Sequence, residues 1–146
     1  MILYLDTSAL VKRYIQEAGT DEVIGLLESA GSVGSASLTK LEMAAAFEKT
    51  VRRGWVKRKI AMQAWQDFLD HWSSFTRLNT SSGTIERASS LAWKYSLRGY
   101  DAMHLASALL WQETLDTQIT MATFDRDLCQ ASKKTGLAVW PENLIS

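Results

Sequence analysis

The chain has very little of several features that mark particular protein classes. Its 146 residues include one cysteine and one proline, and no apolar run approaches the length of a membrane span. A single cysteine, Cys129, excludes an intrachain disulfide and favours a reducing compartment. The N-terminus has no basic segment, and Asp6 interrupts its apolar run after four residues. We therefore predict no signal peptide, no membrane contact and a cytoplasmic location.

The chain also has no net charge, because 16 Lys and Arg residues balance 16 Asp and Glu residues. No overall field attracts nucleic acid, so any such binding has to come from local clusters. Hydrophobic residues make up 47% of the sequence and six residues are tryptophan, which excludes a disordered chain. We predict one domain over residues 1–146, long enough to bury a sizeable core.

Strand-like and helix-like segments alternate along the sequence. Short apolar segments predict strands at residues 2–6, 32–37, 75–78, 118–123 and 137–140. Helical spacing and glycine stops predict helices at residues 8–17, 21–30, 39–53, 56–72, 84–97, 101–115 and 125–135. Strands separated by helices pair in parallel through crossover helices. We therefore predict an α/β fold, a three-layer α/β/α sandwich with a central parallel sheet.

Four carboxylates lie where the predicted strands end and the following helices begin: Asp6, Glu42, Asp101 and Asp125. The ligand crevice of a parallel sheet lies beyond the carboxyl ends of its strands. Converging carboxylates repel each other unless a cation neutralises them. Oxygen ligands without a Cys and His cluster favour Mg²⁺ or Mn²⁺, which can activate water for phosphodiester hydrolysis. The sequence therefore predicts a divalent metal site at this edge.

Each of these acids except Asp6 has a plausible structural alternative. The segment Thr39-Lys40-Leu41-Glu42 fits a capping box, in which Glu42 would bond to the N-cap amide. Asp101 and Asp125 could cap the helices that they begin. Asp127 is expected to be a surface acid. We expect His104, one turn after Asp101, to be packed or hydrogen-bonded rather than a general base.

Four segments carry a family resemblance that covers the whole chain: "YLDTSALVKRY", "ASLTKLEMAAAF", "YDAMHLASAL" and "MATFDRDL". The sequence resembles the PIN-domain ribonucleases, in particular the VapC-like toxins of type II toxin–antitoxin pairs. The resemblance implies a metal-dependent endoribonuclease with its Mg²⁺ or Mn²⁺ site at the same four acids, supported by the hydroxyls of Ser8 and Thr123. It also implies a homodimer and a small cognate antitoxin. The alternative is a catalytically idle module of the same fold that binds RNA or protein, but the four intact acids argue against it.

Basic residues are concentrated at residues 49–59, which we call the basic turn. Its RNA-binding candidates are Arg52, Arg53, Lys57 and Arg58, with Trp55 between them for stacking. The alternative is a solvated charged turn between two helices. Lys12 and Arg13 lie nearer the acids in sequence and are candidates for contacts close to the scissile phosphate. The six tryptophans predict that some large rings line a dimer or partner surface rather than the core.

Overall fold

The computed structural model describes residues 1–144. Within them the strands are β1 (Ile2–Leu5), β2 (Ser32–Ala36), β3 (Thr76–Leu78), β4 (Ile119–Ala122) and β5 (Ala138–Trp140). The α-helices are α1 (Thr7–Leu10), α2 (Thr20–Ser29), α3 (Thr39–Arg52), α4 (Arg58–Trp72), α5 (Ser82–Tyr95), α6 (Gly99–Leu115) and α7 (Arg126–Lys134).

The strands form one parallel sheet in the order β3-β2-β1-β4-β5. The chain adds β2 and β3 on one side of β1 and then returns to place β4 on the other side. The direction of winding therefore reverses between β1 and β4. Ligand crevices in such sheets lie beyond the carboxyl ends of the strands at this point of reversal.

Helices cover both faces of the sheet, and β1 shows how the two layers form. Leu3 and Leu5 point into one core, which they share with residues of α1 to α4. Tyr4 points the opposite way, into a core built with α5, α6 and α7. Successive strand side chains alternate between faces, so both faces of this apolar strand are buried. This arrangement confirms the predicted three-layer α/β/α sandwich with its parallel sheet.

Two tryptophans belong to the cores and two lie at the surface. Trp72 and Trp111 are buried, whereas the residue exposures of Trp55 and Trp93 are 64% and 89%. Trp111 packs so closely on β2 that a Cβ atom at Gly34 would lie 2.7 Å from its Cη2 atom. A glycine is needed at Gly34 because the ring occupies the space of any side chain.

The predicted helix over residues 8–17 is wrong. Helix α1 ends at Leu10, and one 3₁₀ turn, Val11–Arg13, follows it. Beyond this turn, the Thr20 hydroxyl accepts from the Glu17 amide and donates to the Ile15 carbonyl. These bonds tie residues 15–17 to the start of α2, so the helix does not continue to Glu17.

Three other helix starts differ from prediction by two residues: α4 begins at Arg58, α5 at Ser82 and α6 at Gly99. Across residues 1–144, none of the helices is both long and apolar enough to cross a membrane.

Candidate active site

Asp6 lies where the winding of the sheet reverses, directly after β1. Its amide donates to the Ala122 carbonyl at the end of β4, at 3.2 Å. Its carboxylate Oδ1 accepts from the Ala9 amide at 3.0 Å, so Asp6 caps α1. The residue is only 3% exposed. Burial raises the pKa of Asp6, and the opposing charge of His104 and the bonds from nearby hydroxyls offset this only in part.

The hydroxyls of Ser8 and Thr123 are both directed at Asp6. Ser8 Oγ accepts from the Phe124 amide at 2.9 Å, and Thr123 Oγ1 accepts from the Asp125 amide at 3.0 Å. The single proton of each hydroxyl is therefore donated to the Asp6 carboxylate. Ser8 Oγ lies 2.7 Å from that carboxylate and Thr123 Oγ1 lies 2.6 Å from it. The two side chains therefore fix the orientation of this buried carboxylate.

Glu42 lies in the first turn of α3 and faces the same edge of the sheet. The capping-box alternative is wrong, because α3 has no side-chain cap and the Thr39 hydroxyl faces Ser35 at 2.7 Å. Glu42 Oε1 instead accepts from Thr7 Oγ1 at 2.8 Å and lies 2.7 Å from His104 Nε2. Burial alone would raise the pKa of Glu42, but the hydrogen bond and charge of His104 and the bond from Thr7 lower it.

His104 links Glu42 to the interior. It is 1% exposed, and its Nδ1 lies 2.7 Å from the Tyr4 hydroxyl. Burial and the charge of Asp6 raise the pKa of Tyr4, so this hydroxyl keeps its proton beside Nδ1. Nε2 donates to Glu42, because a carboxylate only accepts. His104 is thus packed and hydrogen-bonded, as expected, in what we call the Tyr4–His104–Glu42 chain.

Asp101 and Asp125 are joined by a residue that the sequence prediction missed. Arg98, the N-cap of α6, donates through Nε to Asp101 Oδ2 at 3.1 Å and through Nη2 to Asp125 Oδ2 at 2.8 Å. Asp125 also caps α7, because its Oδ1 accepts from the Leu128 amide at 2.8 Å. Burial, and then the charge of Asp125, raise the pKa of Asp101, which Arg98 lowers only in part. An Arg three residues before an Asp at a helix start was the available signal.

The four acids meet the chemical requirement for a hard divalent cation, but they do not form a closed ligand shell. Carboxylate and hydroxyl oxygens are the ligands that Mg²⁺ and Mn²⁺ take. In the part of the chain that the structure describes, no three His, Cys, Asp or Glu side chains lie close enough together to hold an ion. A positive charge does already lie between two of the acids, that of Arg98. The four side chains therefore offer the oxygen atoms that a divalent cation needs. Asp101 and Asp125, however, are already paired with the guanidinium of Arg98.

A groove of about 790 Å³ opens beside these acids, between α5 and α6. Glu42, Arg98 and Asp101 line it, and the rest of its lining is mostly apolar, with Ile85 and Tyr100 among the residues. The site is therefore accessible from a channel much larger than a single ion.

Comparison with known proteins identifies the family. Residues 3–134 match the family model of the PIN domain. This chain belongs to the PIN domain family. Ribonuclease VapC45 of Mycobacterium tuberculosis is 29% identical to this PIN domain over 143 residues, which cover 98% of this chain and 97% of the relative.

Two solved structures support the PIN fold. PAE2754 from Pyrobaculum aerophilum has a TM-score of 0.64 at 25% identity, covering 99% of this chain and 96% of its own. A toxin–antitoxin complex from Klebsiella pneumoniae has a TM-score of 0.64 at 22% identity, covering 86% of this chain and 88% of the matched chain.

The predicted RNA contacts of this PIN domain lie in two places. Lys12 is held locally, because its Nζ bonds to Glu17 at 3.1 Å and to the Ala18 carbonyl at 2.8 Å, and Arg13 follows it. The basic turn is at the far end of α3, about 15 Å along the helix from Glu42 at about 1.5 Å per residue. Asp127 is exposed, as expected for a surface acid.

Proposed function

We propose that this PIN domain is a ribonuclease of the VapC type, the toxin of a toxin–antitoxin pair, and that it hydrolyses RNA phosphodiester bonds with a bound Mg²⁺ or Mn²⁺. The observation that carries the proposal is the placement of four acids at one edge of the sheet, around the point where its winding reverses. The ribonuclease name of a relative that matches nearly the whole chain supports the same activity.

In the proposed mechanism the ion is held by Asp6, Glu42, Asp101 and Asp125. Bound there, such an ion would lower the pKa of a water molecule and stabilise negative charge on the phosphate. The chain orients its own ligands: Ser8 and Thr123 hold Asp6, while Thr7 and His104 hold Glu42. Rigid supporting contacts of this kind are what set ligand geometry in metal sites.

The substrate side of the proposal uses the groove and the basic residues. The RNA strand would enter the groove of about 790 Å³ that Asp101 lines. Lys12 and Arg13 would lie near the scissile phosphate, and the basic turn would contact phosphates about 15 Å from Glu42 along α3. The basic turn contributes locally the positive charge that the neutral chain lacks overall.

The proposal includes a small antitoxin as inhibitor, a homodimer and a cytoplasmic location. Large exposed apolar side chains support protein partners, since a monomer seldom leaves so many in water. Three of these lie on α5 and at the start of α6: Ile85 (49% exposed), Trp93 (89%) and Tyr100 (54%). The solved toxin–antitoxin complex with the same fold supports an antitoxin as one of the partners.

The alternative, a catalytically idle module, is not favoured. Asp6 also caps α1 through the Ala9 amide, but a helix cap does not need the two further donors, from Ser8 and Thr123, that are directed at the same buried carboxylate.

The test is RNA cleavage by the purified protein, with Mg²⁺ or Mn²⁺ and with a chelator. Asp101→Asn should slow cleavage by at least about a hundredfold, equivalent to about 2.7 kcal/mol of transition-state stabilisation. The matched control is Asp127→Asn, which removes an exposed acid at the start of α7 and should cleave at the wild-type rate. Two results would remove the metal site from the proposal. One is cleavage that persists in chelator, and the other is cleavage by Asp101→Asn at the rate of Asp127→Asn.

A further inference from the structure

The structure places an arginine where the proposed ion would bind. We infer that Arg98 is an in-chain counter-ion that has to release Asp101 and Asp125 before a divalent cation can bind them. The inference rests on the proposed function, because it concerns the same four acids. It goes further by naming the residue against which the ion competes.

The competition follows from the atoms involved. Asp125 uses Oδ1 to cap α7 through the Leu128 amide, so Oδ2 is the oxygen that it has for a ligand. Arg98 Nη2 lies 2.8 Å from that same Oδ2. An ion bound to it at about 2.1 Å would place two positive charges within about 5 Å of each other. At Asp101 the guanidinium is bound to Oδ2 as well, so it opposes the ion at both acids.

Arg98 is also the member of this group that can move at least cost. Its side chain is 81% exposed, whereas those of Asp101 and Asp125 are 15% and 21% exposed. The neighbouring Leu97 is buried and anchors the loop before α6. The guanidinium can therefore swing into solvent without disturbing the packing, and ion pairs of such exposed residues are weak.

The same arrangement stabilises the protein without an ion. Asp101 and Asp125 carry like charges and lie within hydrogen-bond distance of the same guanidinium, so they repel each other and Arg98 bridges them. Removing the guanidinium should thus have opposite effects on two measurable properties: the metal-free protein becomes less stable, and its affinity for the ion rises. A purely structural ion pair would change only the first.

The experiment measures Mn²⁺ binding by isothermal titration calorimetry, together with thermal melts in chelator and in Mn²⁺. Arg98→Met should lower the dissociation constant for Mn²⁺ by between about twofold and thirtyfold, the range for losing one or two exposed ion pairs. In chelator, Arg98→Met should melt at a lower temperature than wild type. On adding Mn²⁺, its melting temperature should rise by more than that of wild type. Arg87→Met is the matched control, because Arg87 makes a two-point pair with Glu113 away from the acids.

The outcomes separate the two proposals. If Arg98→Met binds Mn²⁺ no more tightly than wild type does, the role of Arg98 is overturned and the metal site is left standing. No Mn²⁺ binding by wild type, Arg98→Met or Arg98→Lys would overturn both. Arg98→Lys also covers a fold failure of the methionine variant, since it keeps the charge but loses the two-point contact. Its affinity should fall between those of wild type and Arg98→Met.

Discussion

Replacing Tyr4 by Phe tests whether His104 is held as a positioning residue for Glu42. The change keeps the ring in the core and removes only the hydroxyl that lies 2.7 Å from His104 Nδ1. Both residues are almost completely buried, so water cannot replace the lost hydroxyl. His104 would then keep its bond to Glu42 but carry an unsatisfied nitrogen in the interior.

The expected loss follows from this geometry. A buried polar atom left without its hydrogen-bond partner costs about 1–3 kcal/mol of unfolding free energy. For a chain of this length, each 1 kcal/mol corresponds to about 3 °C in melting temperature, so Tyr4→Phe should melt about 3–9 °C lower. The chain also offers a matched control in Tyr14, whose hydroxyl makes the same kind of bond to His71 Nδ1, at 2.8 Å, at the surface. Tyr14→Phe should cost less than about 0.5 kcal/mol.

The assay is urea unfolding of a double-mutant cycle. In a His104→Leu background the Tyr4 hydroxyl has already lost this bond and keeps only Ser35, Ser107 and the Ala36 backbone beside it, so adding Tyr4→Phe should cost less than it does in wild type. The size of the Tyr4→Phe effect thus depends on whether His104 is present. An equal cost in both backgrounds, or equal costs for Tyr4→Phe and Tyr14→Phe, would refute the Tyr4–His104–Glu42 chain.

Two further predictions concern the sheet and the RNA. Gly34→Ala should destabilise the fold by about 1–3 kcal/mol, because its Cβ would meet Trp111, whereas Gly25→Ala, with no atom within 4 Å, should stabilise α2 by about 0.5–1 kcal/mol. Urea unfolding of both variants checks this, and equal effects would contradict the close packing. Neutralising the four basic-turn candidates together should weaken RNA binding and flatten its dependence on salt. If filter-binding assays show the same dependence of RNA affinity on salt before and after the change, this segment is a solvated turn without an RNA contact.

The sheet and the edge that bears the acids were predictable from the sequence because they depend on local signals. Apolar runs mark the strands, and an acid that follows such a run lies at the carboxyl edge whatever the strand order. Asp6 needed nothing more than its place after β1. The capping-box motif at Glu42 was misleading, because Ser35 took the Thr39 hydroxyl that the motif requires.

Contacts across the fold were not predictable from the sequence alone. The bond from Arg98 to Asp125 joins residues 27 positions apart, and that from Tyr4 to His104 joins residues 100 apart. Their partners depend on which helices pack together, which periodicity does not specify. The predicted helix over residues 8–17 failed for a local reason, because the chain after Arg13 bonds to Thr20 instead of continuing as a helix. A single domain over residues 1–146 stays a prediction.

The position of Asp6 at the reversal of the sheet also determines when the site can form during synthesis. Its bond to Thr123 spans 117 residues, and Asp125 lies two residues later still. At about 5–20 residues per second, a ribosome needs roughly 6–24 s to advance from Asp6 to Asp125. Until β4 is made, the nascent chain has its first acid but neither the β4 side of β1 nor the last acid. A chain that terminates before β4 therefore lacks Thr123 and Asp125, and with them part of the proposed metal site.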